Sequence, residues 1–446
     1  MSSQLDLAAQ YLNGSMIDLS PSFKHAIDIM ESTKKNLFIT GKAGTGKSTL
    51  LEYFRERTQK NIAVLAPTGV AALNVHGQTI HSFFRFKPGI TRDSVKRLSH
   101  RQRDQYLKLD TIIIDEISMV RADLLDCIDA FMRINGSNDK LPFGGAQIIF
   151  IGDLYQLPPV VTHSEAAMFK VNYESEYFFD ADVFKEMELE FVELDKHYRQ
   201  TDDSFIKILN AIRNGSATES DIAQINSRYD TKFVPKINDR YITLTTTNKI
   251  AEEINDAELA KLTGSTFYYH GTTEGNFDAK ALPTKEDIIL RIGSQVMLLN
   301  NDKMERWVNG SIGTVISTTP QEGTNDIITV ELENGERVEV LPFTWEMFKF
   351  AYDHEHRKLV QNKVGSFTQY PLMLAWAITI HKSQGKTFKK VIIDLGYGTF
   401  APGQLYVALS RCTSMEGIVL KTRISARHMI MDNRVSGFLS KVRNST

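Results

Sequence analysis

An apolar run, a glycine-rich turn and a helix start follow one another at residues 36–57, and no other stretch constrains the chain as tightly. Asn36-Leu37-Phe38-Ile39-Thr40 reads as a buried strand, Gly41-Lys42-Ala43-Gly44-Thr45-Gly46-Lys47-Ser48 as the turn, and Lys47 to about Arg57 as the helix. Glycines in such a turn let consecutive backbone N–H groups curl around an anion, and the helix N-terminus points its positive end at the same charge. The spacing is that of a phosphate cradle. Gly41, Ala43, Gly44, Thr45, Gly46 and Thr49 form its wall, Lys47 reaches the β- and γ-phosphates, and Ser48 binds the metal. ATP with Mg²⁺ is the expected cofactor pair.

The second half of such a site is an apolar strand ending in a carboxylate. Ile112-Ile113-Ile114-Asp115-Glu116 provides it, 68 residues from Lys47 to Asp115. Asp115 would hold the metal through water, and Glu116 would take a proton from the attacking water. Adjacent carboxylates at a strand end are ordinarily a surface turn; their place downstream of a phosphate loop favours chemistry. Phosphoryl transfer also needs cations against the charge that develops on the γ-phosphate. Tyr198-Arg199-Gln200 and Leu409-Ser410-Arg411 each offer one from the second half of the chain. Alone, either arginine would read as a surface ion-pair residue.

Further strands read at Ile62 to Ala66 and Gln147 to Gly152, separated by helical patterns, which indicates a parallel, doubly wound sheet. Tyr241 to Thr246, Val391 to Asp394 and Ile418 to Lys421 suggest a second α/β unit. Between them, Val296 to Leu299, Gly313 to Ser317, Ile327 to Leu332 and Arg337 to Leu341 alternate, with turn signals at Asn309-Gly310 and Asn334-Gly335. Residues 297–370 are therefore expected as a small β-barrel inserted in the second unit.

Composition narrows the setting rather than the chemistry. With 446 residues, 42% of them hydrophobic, the chain can bury more than one core. No apolar run is long enough for a bilayer, and the first residues have neither a basic start nor the apolar stretch of an export signal. No membrane partner and a cytoplasmic location are expected. Cys127 and Cys412 lack metal-ligand spacing and suit a reducing compartment. The net charge of −2 excludes a globally basic nucleic-acid coat. Charge is uneven, however: eight Lys or Arg from Arg85 to Lys108 face only Asp93 and Asp104, whereas nine acids from Glu174 to Asp195 face only Lys185. The basic stretch suits a phosphate-tracking groove, and a solvated helix face explains it equally well.

Taken in order, several segments resemble the motifs of superfamily-one helicases. They are Gly44-Thr45-Gly46-Lys47-Ser48-Thr49, Ala66-Pro67-Thr68-Gly69-Val70-Ala71-Ala72, Asp115-Glu116-Ile117-Ser118-Met119, Gly152-Asp153-Leu154-Tyr155-Gln156-Leu157-Pro158-Pro159-Val160, Thr379-Ile380-His381-Lys382-Ser383-Gln384-Gly385 and Tyr406-Val407-Ala408-Leu409-Ser410-Arg411. The run from Ser118 to Asp126, with Pro142-Phe143-Gly144-Gly145, is similar to the PIF-type subgroup, whose cousins are RecD-like and Dda-like motors. The resemblance spans nearly the whole chain. It implies an α/β fold of two RecA-like P-loop NTPase domains, with a small wedge element at about 70–85 in the first and an SH3-like β-barrel inserted in the second. The implied boundaries are 1–190 for the first domain, 191–296 with 371–446 for the second, and 297–370 for the insertion. It also implies an ATP-dependent helicase moving 5′→3′ on single-stranded DNA. Tailed or forked duplexes, and G-quadruplex DNA, fall within the implied substrates, and the implied state is a monomer that dimerises at most on DNA.

Carried over by motif, Gln156 would sense the γ-phosphate, Arg199 and Arg411 would be arginine fingers, and Gln384 and Gly385 would border the nucleotide. Thr68, Thr246, Asn248, Thr379, His381 and Lys382 would lie along the single strand. His76 and His81 of the wedge would stand beside it, and Asn309 in Trp307-Val308-Asn309-Gly310 would touch it from the barrel. Strand-end capping is the plainer reading for Thr246 and Asn248, a packed histidine for His81, and a hairpin turn for Asn309. One departure matters. Leu19-Ser20-Pro21-Ser22-Phe23 puts Phe23 where the family has an adenine-reading glutamine. A phenyl ring can stack on a base but cannot hydrogen-bond its edge. Two other functions fit parts of the pattern: a small-molecule P-loop kinase, which the paired arginine motifs disfavour, and an ATP-gated DNA-binding module that switches without unwinding.

Overall fold

Runs of branched apolar residues build a six-stranded parallel sheet in the first part of the chain. Its strands are β1 (Asn36–Gly41), β2 (Ile62–Ala66), β3 (Gln78–Thr79), β4 (Thr111–Ile114), β5 (Gln147–Ile151) and β6 (Leu189–Leu194), in the spatial order β3-β2-β4-β5-β1-β6. Every pairing is parallel. Strands β4 and β5 are buried at every residue, which is why their sequences show no polar alternation. One face packs on Phe23, Leu50 and Phe54 of helices α1 (Pro21–Ser32) and α2 (Lys47–Arg57). The other packs on Phe83, Phe131 and Phe178. The computed structural model describes residues 11–12, 15–16, 19–42, 44–161, 165, 169, 171–195, 202–236, 239–323, 325–396 and 398–444.

Residues 70–85, expected as a wedge, hold one short strand of this sheet between two short helices. β3 pairs with β2, and Ile80, Phe83 and Phe84 are buried against Tyr106 and Phe131. Such large apolar side chains hold the segment down. Just beyond it Lys87, Arg92, Lys96 and Arg97 are exposed.

A second parallel sheet has the order Ala377–Thr379, Ile242–Thr245, Val391–Asp394, Ile418–Leu420. Between its first two strands in sequence the chain turns antiparallel, from Thr266 to Leu374, a wider span than 297–370. The excess carries no readable alternation; Thr272–Gly275, for one, is exposed throughout. A five-stranded antiparallel sheet encloses Val296, Val315, Val330 and Trp307. From it a long hairpin, Phe343–Asp353 with Lys358–Gln369, reaches the first unit. There Phe350 packs edge-on to Phe83 at 5.7 Å, and Leu359 N donates to Asn61 Oδ1 at 2.8 Å.

The last helix, Asn433–Asn444, leaves the second unit. Its Val435, Leu439 and Val442 are buried in the first unit's core, and Arg443 pairs with Glu193 of β6 at 2.7 Å. This helix, within the expected span 371–446 of the second unit, buries its apolar stripe in the first. Among the described residues, no helix is long and apolar enough to cross a membrane.

Candidate functional site

The phosphate-loop residues gather at the C-terminal ends of the first sheet, where a parallel sheet leaves backbone N–H groups and helix N-termini facing a crevice. Gly44 and Gly46 have φ of +81° and +86°, conformations that a side chain would oppose. Lys47 Nζ donates to the carbonyls of Gly41 at 2.7 Å and Lys42 at 3.1 Å, so it is folded back onto the loop that precedes it. Burial draws its pKa down, against the opposing pull of Asp153, Glu116 and Asp115. Gly41 is buried, and Ser48 and Thr49 occupy the first turn of α2 with Ser48 exposed. Ala43 lies outside the described residues, as does Arg199.

Asp115 and Glu116 follow β4. Glu116 sits at φ 51°, ψ 43°, a left-handed conformation that costs a residue with a Cβ about 1 kcal/mol or more and clusters at functional sites. Burial and the neighbouring Glu116 push Asp115 up to about 7. Burial also raises Glu116, while Lys47 and Arg411 pull it back. The two half-buried carboxylates and the Ser48 hydroxyl are hard oxygen donors of the kind that a divalent cation takes. Among the described residues no three His, Cys, Asp or Glu converge, so phosphate oxygens and water would have to complete such a shell.

The second unit meets this edge. Gln156, 8% exposed, donates through Nε2 to Asp153 Oδ2 at 3.3 Å, and Gln384 Nε2 approaches its Oε1 at 3.5 Å. Gly403 leans so closely on the same loop that a Cβ there would overlap the carbonyl oxygens of Tyr155 and Gln156. Arg411 is 1% exposed. Its Nε donates to Val407 O at 3.0 Å and its Nη2 to Ser410 Oγ at 2.9 Å, with Nη1 3.3 Å from Ser383 O. Its charge reaches Glu116 across the interface. Gly385 is exposed beside Gln384, with φ +75°.

Phe23 is a correction. Its ring is 5% exposed and edge-on to Tyr53 at 5.6 Å within the core, so it presents no face to a base. The apolar spacing of α1 makes that ring an inward position.

The nucleic-acid candidates fall on neighbouring strand ends in each unit. Thr68 caps helix Gly69–Asn74, accepting from Ala71 N at 3.2 Å, and lies past β2 as His81 lies past its partner β3. In the second unit Thr379 pairs with Thr245, which brings Thr246, Asn248, His381 and Lys382 to one edge. Thr246 and Thr379 are buried, whereas Asn248 and Lys382 are exposed. The cap of helix Asn248–Lys261 is Thr247, which was not singled out above although the Thr-Asn run contains it. Burial lowers the pKa of His76, His81 and His381, so near pH 7 they are neutral donors rather than cations. His76 is also bound into the hairpin contact, its carbonyl accepting from Gln361 Nε2 at 2.8 Å. Asn309 Oδ1 accepts from Lys386 Nζ at 2.6 Å, and Trp307 beside it is barrel core. That amide oxygen ties the insertion to the loop after Gln384.

The model of a PIF1-like helicase family matches residues 20–223. The ATP-dependent DNA helicase Pif1 of Bdellovibrio bacteriovorus is 34% identical over 441 residues, covering 95% of this chain and 92% of that protein. The crystal structure of Bacteroides sp Pif1 in complex with ADP-AlF4 is 38% identical, covers 96% of this chain and 98% of that one, and superposes with a TM-score of 0.88. Bacteroides Pif1 bound to ssDNA, at the same identity and coverage, gives 0.68.

Proposed function

As the chain belongs to the PIF1-like helicase family, we propose that it is an ATP-dependent DNA helicase whose hydrolytic cleft is shared between two RecA-like domains. The first domain is residues 19–195 with the final helix, and the second is residues 202–261 with 377–432; the antiparallel insertion between them is the SH3-like barrel. Lys47 and the loop N–H groups hold the triphosphate, Glu116 takes the proton of the attacking water, and Arg411 faces the charge that develops. Mg²⁺ held through Ser48 and Asp115 supplies charge neutralisation for the leaving phosphate when bound. Gln156 reports the γ-phosphate to Gln384 and hence to the DNA edge of the second domain.

One observation carries this reading. Across one interface the Gln384 amide meets Gln156, and the charges of Arg411 and Lys47 both act on Glu116, while paired strands in each unit end beside the nucleic-acid candidates. Nucleotide-driven closure then changes the spacing of two grips on a strand, which is a step. Caps, hydroxyls and neutral imidazoles recognise phosphate and sugar at every position alike, so the DNA is read without sequence preference. The lower superposition on the ssDNA-bound relative supports a rearrangement of the units on DNA. The place of action is the compartment that holds DNA, the cytoplasm in a bacterium. The test is strand separation on a duplex with a 5′ tail beside one with a 3′ tail. ATP-dependent opening of the 5′-tailed duplex is expected; ATP hydrolysis with neither duplex opened would leave a switch that does not unwind.

A further inference from the structure

Arg213 ends the helix Asp203–Arg213 of the second unit, yet its side chain belongs to the first unit's loop. Nη2 donates to Asp153 Oδ1 at 3.1 Å, with 3% of the arginine and 0% of the aspartate side chain exposed. The guanidinium lies over the Tyr155 ring, 4.3 Å from its centroid. Among the described residues, its Nε has no hydrogen-bond partner. Asp153 Oδ2 in turn accepts from Gln156 Nε2, whose amide oxygen faces Gln384.

A buried ion pair is a poor source of net stability, because desolvation offsets most of the attraction, but removing one partner leaves the other charge stranded. Here the pair joins two units, and its carboxylate is shared with the amide of Gln156. The cation–π contact with Tyr155 adds a second partner that a lysine reproduces less well. Asp153 also feels the charge of Lys47 in the phosphate loop.

We infer that Arg213 is a positioning residue: through Asp153 it fixes the orientation of Gln156 and so sets how strongly the second unit, and the DNA on it, drives ATP hydrolysis. This rests on the helicase reading above. It differs from an arginine finger in that the guanidinium is committed to Asp153 and Tyr155 rather than to the nucleotide.

The experiment measures kcat and KM for ATP with saturating single-stranded DNA in the wild type, Arg213→Ala, Arg213→Lys, Gln156→Ala and the Gln156→Ala/Arg213→Ala double variant. Arg213→Ala is expected to lower kcat at least about tenfold with a smaller change in KM, and Arg213→Lys to recover only part of it. In the Gln156→Ala background, loss of Arg213 is expected to change kcat by less than about threefold. Multiplicative losses in the double variant would mean that Arg213 acts independently of Gln156 and would overturn the inference. So would an Arg213→Ala enzyme with wild-type kcat, or an Arg213→Lys protein without a cooperative melting transition, which would make the residue purely structural. A wild type that DNA does not stimulate would instead overturn the parent reading.

Discussion

The ring of Phe438 lies face to face with that of Phe179, the centroids 4.4 Å apart and the planes 8° from parallel. Phe438 belongs to the last helix, which has just left the second unit, and Phe179 to the core of the first. The chain thus passes between the two units twice, before Asp203 and again before Asn433.

If that helix pins the units together, Phe438→Ala costs stability. The ring is half-buried, so the loss is about 2 kcal/mol, below the range for a fully buried phenylalanine. Urea denaturation reads it as a lower midpoint, and an unchanged midpoint would show that the helix contributes no such clamp.

Gly403→Ala addresses the contact beside Gln156. A methyl group there meets the carbonyl oxygens of Tyr155 and Gln156, at a backbone φ of +72°. Strain and overlap together are worth about 1–3 kcal/mol. The variant is expected to melt earlier and to lose DNA-stimulated hydrolysis more than nucleotide affinity, as thermal melting and a fluorescent-nucleotide titration would measure.

Lys386 gives a pH signature. Burial pushes its ammonium down to about 8 from the ordinary value of 10.5, while its Nζ donates to Asn309 Oδ1. The unfolded chain therefore binds more protons than the folded one between those two values, and stability contributed at this position rises with pH across that window. Below about 8 the full cost of burying the charge is present. Lys386→Met removes this dependence, so the difference in unfolding free energy between variant and wild type should narrow from pH 7.5 to pH 10. A constant difference would place Lys386 in solvent.

Glu116→Gln keeps the shape of the site but not the base. Nucleotide binding should persist, with turnover lower by about 10²–10⁴-fold. Stopped-flow nucleotide binding beside steady-state hydrolysis separates the two, and normal turnover would assign the base elsewhere.

Local pattern made the phosphate loop, β1, β4 and the Asp115-Glu116 strand end readable, because each needs only neighbouring residues to be recognised. Phe23 was misplaced because motif position does not reveal which face of α1 it occupies. Arg213 had no local signal at all: an arginine at a helix end reads as solvated until the fold brings Asp153 to it. Thr247 was passed over for its neighbours because only the cap geometry singles it out. The wider insertion and the returning helix depend on pairing between distant segments, and the polar strand Thr272–Gly275 carries no alternation from which to infer it.

The central claim is that Lys47 and the second unit form one DNA-responsive ATPase. It is tested most directly by ATP hydrolysis with and without single-stranded DNA, in the wild type and in Lys47→Ala. The wild type should be stimulated at least about tenfold by DNA, and the variant should lose that activity while melting at the wild-type temperature. A folded Lys47→Ala protein that hydrolyses ATP normally, or a wild type indifferent to DNA, would contradict it.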